Sequence, residues 1–259
     1  MRQYYGIEII PTKEPLGFIY GKNVFGPEVE YRRLEDIRKS LLDPMCEGPE
    51  IVYAIAMDVG KSKDKNVLIK KNLLFGIVTY ASGRLGKEPV RSQGHIHALS
   101  RYCNCSTPEI FEIWTGEAVI YMQEKVEDNP DRCFAVYAKP KDIVIVPPGW
   151  AHYTVSANTK EPLTFLALCV RDYGFEYERI RSYGGLAWYP ILEHNDKIEW
   201  VKNNRYKEHD LTIKDPRNYD EFSIKQNVPL YEQFEKNPDI FEFVSNPNMV
   251  QRLWNNFIP

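Results

Sequence analysis

The sequence predicts an all-β fold, a closed barrel or sandwich carrying short helical additions at its N- and C-terminal ends. Three observations carry this. Apolar runs of strand length follow one another through the middle of the chain, Gly, Pro, Asn and Asp turns separate them, and no long helical period intervenes. The expected strands occupy residues 51–57, 67–80, 109–123, 133–138, 143–146, 152–155 and 163–170. The 109–123 run is interrupted at Thr115-Gly116, where a glycine tolerates positive φ, so a hairpin turn is expected there. Ahead of the barrel, residues 31–43 place Leu34, Ile37, Leu41 and Leu42 at helical spacing, which predicts a short amphipathic helix. Behind it, Pro229, Pro238 and Pro247 recur nine residues apart among Tyr231, Phe234, Phe241, Phe243, Trp254 and Phe257. Each proline can open a short helix, and the aromatic side chains then cover the barrel or a neighbouring subunit. The expected organisation is N-terminal strands and a helix over 1–50, the barrel over 51–204, and a helical, aromatic-rich extension over 205–259.

Composition excludes several function classes. A chain of 259 residues with 43% hydrophobic content can bury a substantial core. Its formal charge of −3 and lack of a dense basic patch argue against nucleic acid and acidic membranes as partners. Nothing at the start resembles a signal sequence, and five scattered cysteines do not form a disulfide framework, so a reducing cytoplasm is the expected location.

The chemistry is carried by histidines and one glutamate. His95 and His97 stand at i and i+2, which in a strand point to the same side. Alternation places Glu109 with Phe111 and Ile113 on an apolar face, where an unpartnered carboxylate would be costly. Glu112 falls on the opposite face, expected to be outward and solvated or turned to a subunit. His152 follows the rigid turn Pro147-Pro148-Gly149. Three imidazoles and one carboxylate suit a single divalent transition metal, Fe, Mn, Ni or Zn, with positions left for water or substrate oxygens. Cys103 and Cys105 are expected to be free thiols outside this set, because four harder ligands already complete it.

The run Gly94-His95-Ile96-His97, Glu109 seven positions before Gly116, and Pro147-x-Gly149-x-x-His152 resemble the two motifs of the cupin superfamily. The segments from Gly83 to Glu88, Ser92 to His97, Val146 to His152 and Glu161 to Ala167 are similar to those of the cupin-type glucose-6-phosphate isomerases first known from archaea. The resemblance runs from about residue 32 to 206. It implies a cupin jelly-roll barrel, usually a homodimer, acting on a sugar phosphate beside its metal, with Glu109 as the catalytic carboxylate and Thr79, Ser92 and Gly94 at the phosphate. The sequence departs from the family in a longer 100–107 segment, and in Gly149, Cys169 and Phe175 where the family has pocket tyrosines and a histidine. Because cupins host many chemistries, another metalloenzyme (a different sugar isomerase or an oxygenase) and a non-enzymatic sugar binder stand beside the isomerase reading. The residues leave proton shuttling and direct hydride transfer both open.

Overall fold

The apolar runs pair into two facing sheets. In the computed structural model, which describes residues 5–259 other than Asn195 and Glu208, the larger sheet orders strands Ile143–Val146, Glu109–Thr115, Thr164–Val170, Leu73–Tyr80, Ile51–Lys61 and Val24–Phe25. Glu30–Arg33 also pairs with Ile51–Lys61. The smaller sheet orders Ala151–Ser156, Ala118–Gln123, Cys133–Ala138 and Leu211–Lys214, the last pair parallel. Between the sheets lies a lumen filled by Val78, Tyr80, Phe111, Ile120, Met122 and Phe165, among others.

Both outer faces are covered as well. Phe75, Ile77, Ile110 and Leu168 on the large sheet pack under the C-terminal segment, and Val119, Tyr121 and Tyr153 on the small sheet pack under Ile180, Leu186 and Ile198. Burial on two faces explains why the strands read as continuous apolar runs rather than alternating ones. The C-terminal segment is a chain of one-turn and two-turn helices, Leu230–Lys236, Glu242–Ser245 and Gln251–Asn255, joined by 3₁₀ turns that open at Pro238 and Pro247. Its rings sit against the sheet, with Phe75 4.9 Å from Tyr231 and 5.5 Å from Phe234.

Three local expectations are corrected. Thr115-Gly116 is not a hairpin: Glu109–Thr115 pairs with strands of the large sheet and Ala118–Gln123 with strands of the small one, so the chain turns a corner between sheets. Gly116, at φ +73°, is required there, since a Cβ would stand 2.9 Å from the Pro162 carbonyl oxygen. The 67–80 run begins as a helix, Lys65–Lys70, because the lysines around Val67, Leu68 and Ile69 keep all but Leu68 at the surface; the strand starts at Leu73. The 31–43 helix shrinks to Leu34–Ile37 and the 3₁₀ turn Arg38–Ser40, because pairing with Ile51–Lys61 draws residues 30–33 into the sheet. Leu34, Ile37 and Leu41 are buried as their spacing predicts, whereas Leu42 is 41% exposed.

Glu112 is corrected too. It does face away from the lumen, but at 1% exposure it is sealed beneath the C-terminal segment, accepting Trp114 Nε1–H at 3.0 Å and the Leu230 backbone N–H. Burial, with some repulsion from Glu232, pushes its carboxyl from 4.5 up to about 8. The folded chain therefore retains a proton that the unfolded chain releases. The contribution of this residue to stability is intact below about pH 4.5 and is lost progressively as pH rises toward 8. Glu112→Gln is expected to gain stability relative to the parent across that window, by up to a few kcal/mol at about 1.4 kcal/mol per pH unit. Denaturant unfolding at pH 5 and pH 8 checks this; equal differences at both would contradict it.

Candidate metal centre

Backbone pairing brings the histidines together before any side chain is considered. His95 and His152 exchange N–H to carbonyl hydrogen bonds of 3.0 Å in both directions, which ties the entry to strand Ile96–His97 to strand Ala151–Ser156. Glu109 opens strand Glu109–Thr115 opposite Val146, so its side chain enters the lumen beside Phe111. One carboxylate oxygen, Oε2, lies 3.1 Å from His97 Nε2, 3.0 Å from His152 Nε2 and 3.8 Å from His95 Nε2. The four expected ligands thus present one donor atom each, all within 4.8 Å of one another, an arrangement that could hold a metal ion.

Hydrogen bonding fixes which ring nitrogens are available. His97 Nδ1 contacts the Thr107 carbonyl at 2.9 Å and His152 Nδ1 the Trp150 carbonyl at 3.1 Å. A carbonyl only accepts, so both Nδ1 atoms carry hydrogen, and it is Nε2 of each ring that is turned to Glu109. His95 Nε2 is buried without a hydrogen-bond partner. Burial, then the neighbouring His152, lowers the His95 pKa to about 3, so this ring is neutral near pH 7. With neutral rings, Nε2 lone pairs would converge on the carboxylate, an arrangement that needs positive charge between them. A proton can supply it: burial alone would raise the Glu109 pKa, but hydrogen bonds with His152, His95 and His97 more than offset this and hold it well below the usual carboxylate range. The donor set fits a cation.

The 100–107 segment supports this centre from outside. Asp172 accepts from Ser100 Oγ at 2.9 Å and from the backbone N–H of Arg101 and Tyr102, pinning the segment's start. Its end supplies the Thr107 carbonyl that orients His97, while Ser106 Oγ donates to the His97 carbonyl at 2.9 Å. The expectation of free thiols is overturned: Cys103 and Cys105 are disulfide-bonded, their Cα atoms brought to 5.3 Å by a turn in which Asn104 adopts φ +53°. Neither sulfur belongs to the donor cluster.

The expected phosphate contacts separate. Ser92 and Gly94 line a lumen cavity of about 60 Å³ that also touches His95 and His152. Thr79 does not, because Val78 and Tyr80 take the lumen face of its strand; its hydroxyl pairs with that of Thr164 at 2.9 Å on the outer side. Phe175 packs edge-on to His95, ring centroids 4.4 Å apart, Gly149 lies in an exposed turn and Cys169 is buried. Arg32, Tyr53, Tyr80 and Tyr177 line the same cavity and were missed. Strand parity with Val78 would have found Tyr80, whereas reading residues 31–43 as helix concealed Arg32.

Comparison with known proteins bears on the same span. A family model described as Glucose-6-phosphate isomerase (GPI) matches residues 35–209. A glucose-6-phosphate isomerase of Pyrococcus abyssi is 28% identical over 205 residues, covering 75% of this chain and 98% of that protein. Its counterpart in Pyrococcus horikoshii is 29% identical over 208 residues, with the same coverage. Among solved structures, a cupin superfamily protein of Desulfitobacterium hafniense aligns at 15% identity and a TM-score of 0.25, covering 38% of this chain and 67% of that one.

Two outcomes follow from this arrangement. Glu109→Gln removes the one anionic member of the set, so it should lose the stabilisation by added Mn²⁺ that the parent shows. A parent-like Mn²⁺ response in thermal melts would refute that assignment. Replacing both Cys103 and Cys105 with serine should leave the Mn²⁺ response intact, and its loss would make the segment a ligand arm.

Proposed function

The chain belongs to the glucose-6-phosphate isomerase family, and we propose that it interconverts glucose 6-phosphate and fructose 6-phosphate using one divalent transition metal held by His95, His97, Glu109 and His152. The observation that carries this reading is the convergence of three imidazole nitrogens on the Glu109 carboxylate inside the lumen. A divalent cation there supplies Lewis acidity toward the carbonyl of an aldose or ketose. The protein's own part begins with Glu109. Its Oε2 is turned to the imidazoles, which leaves Oε1 to carry a proton between C1 and C2. Ser92 Oγ accepts the Thr154 N–H at 3.2 Å and also hydrogen-bonds with Tyr80, a bond its hydroxyl would exchange for one to a phosphate oxygen. Gly94, at φ +90°, lets backbone approach the same group closely.

At about 60 Å³ the cavity holds a few waters rather than a hexose phosphate, so Phe175 and Tyr177, which line it, must rotate away for substrate to enter. Phe175 also favours a second reading, in which the same centre isomerises a sugar other than glucose 6-phosphate, since an apolar ring stands where the family has a histidine. We further propose a cytoplasmic homodimer serving glycolysis or gluconeogenesis. Three of the five cysteines, Cys46, Cys133 and Cys169, are buried and unpaired, which favours a reducing compartment, while the Cys103–Cys105 bridge closes one short turn and is no disulfide framework. No described helix is long and apolar enough to cross a membrane.

Elemental analysis should return about one transition metal per chain. A coupled assay on metal-loaded protein should then show turnover of glucose 6-phosphate and fructose 6-phosphate, abolished by chelator and reduced by orders of magnitude in Glu109→Gln. Run in D₂O, transfer through Glu109 places solvent deuterium in the product, whereas complete retention of substrate hydrogen would replace it with hydride transfer. Turnover of another sugar instead would select the second reading; tight binding without turnover would make the protein a sugar binder.

A further inference from the structure

The lumen cavity contains a fixed cation that the centre described above does not use. Arg32 is the one arginine or lysine lining it, and no aspartate or glutamate lines it alongside, among the described residues. Its position follows from strand pairing: register Arg32↔Tyr53 sets the guanidinium at the rim of the large sheet, where Tyr53 and Tyr177 face the same cavity. Tyr177 connects it to the centre, since this side chain hydrogen-bonds with Arg32 while its ring centroid lies 6.3 Å from that of His95.

Two nearby arginines show why this one is distinctive. Arg91 is fully buried, with Nε on Glu88 at 2.7 Å, one NH₂ group on the Ser92 carbonyl and the other on the Ser40 carbonyl; its charge is neutralised and its donors are committed. Arg181 is engaged by Gln93 and Glu178. Among the described residues Arg32 has an ion pair only to Glu30, at 3.2 Å, and that carboxylate is 63% exposed, so solvent screens the pair and little is lost by exchanging it. A guanidinium presents paired N–H groups that match phosphate oxygens, and it keeps its charge at any pH the fold survives.

We propose that Arg32 is the specificity-determining cation for the substrate's phosphate, accepting the dianion at the rim while Ser92 and Gly94 hold it from the side of the centre. This rests on the sugar-phosphate reading above. Without ligand, Arg32 holds Tyr177 across the cavity; a phosphate that takes over the guanidinium releases Tyr177 and so widens the space that the sugar needs.

The test is isothermal titration of Mn²⁺-loaded, full-length protein with glucose 6-phosphate and with glucose, for the parent, Arg32→Lys, Arg32→Ala and Arg32→Met, the last keeping an apolar stem against Tyr53. The parent should prefer the phosphorylated sugar. Arg32→Ala and Arg32→Met should bind glucose 6-phosphate about ten- to a hundredfold more weakly, with glucose affinity and metal content unchanged, and Arg32→Lys should recover part of the loss. If the parent discriminates and the neutral variants discriminate equally well, Arg32 is not the phosphate's partner. If the parent binds glucose as tightly as glucose 6-phosphate, the sugar-phosphate reading fails, and the role of Arg32 fails with it.

Discussion

The arrangement of this molecule turns on one buried carboxylate. Glu109 lies in an apolar lumen with three imidazoles around a single oxygen, and two of those rings are held by backbone carbonyls with Nε2 turned to it. Burying such a charge without a counter-charge costs far more than one hydrogen bond returns. The barrel walls can hold this arrangement because its backbone is independently secured. His95 and His152 are paired through main-chain hydrogen bonds, and Glu109 begins a strand flanked by two others. Rigid backbone lets the three imidazoles and the carboxylate stand around one point that positive charge, a proton or a metal ion, would occupy.

The strand that carries Glu109 carries a second buried carboxylate with the opposite electrostatics. Glu109 is held ionised by its imidazole neighbours, whereas Glu112, three residues on, lies on the other face under a C-terminal helix and holds its proton to about pH 8. Both are buried, so exposure does not distinguish them; the difference lies in what faces each one. Three imidazoles surround the first and keep it ionised, and an indole, one backbone N–H and Glu232 make the second a neutral acid at ordinary pH. The covering segment, residues 210–259, lies beyond the span matched by the family model, so the environment of Glu112 comes from chain outside the shared barrel.

The 100–107 insertion shows how a longer connection is accommodated beside such a site. It does not enter the lumen. Asp172 anchors its start, a turn at Asn104 reverses it, and its last residues supply the carbonyl that sets the His97 tautomer. Closing a somewhat longer loop costs little entropy, and the added residues are held by hydrogen bonds at both ends.

The sequence by itself determined most of the central strands, the inward parity of Glu109 against Glu112, and the four residues that come together as a donor set. Each depends on short-range rules: period-two alternation, i and i+2 on one face, and the cost of a carboxylate among apolar neighbours. Only the tertiary structure decided which strands become partners. Thr115-Gly116 reads equally well as a hairpin or a corner, because both require positive φ at the glycine, and the choice depends on strands that lie between residues 133 and 170. Thr79 shows the limit of alignment without parity: one step along its strand moved it from the lumen to the outer face. Arg32 shows the limit of local periodicity. Helical spacing in residues 31–43 is real for Leu34, Ile37 and Leu41, yet pairing with Ile51–Lys61 pulled residues 30–33 into the sheet and brought a guanidinium to the lumen. Hydrogen bonding between strands outweighs a weak local preference, and no local pattern records where the partner strand lies.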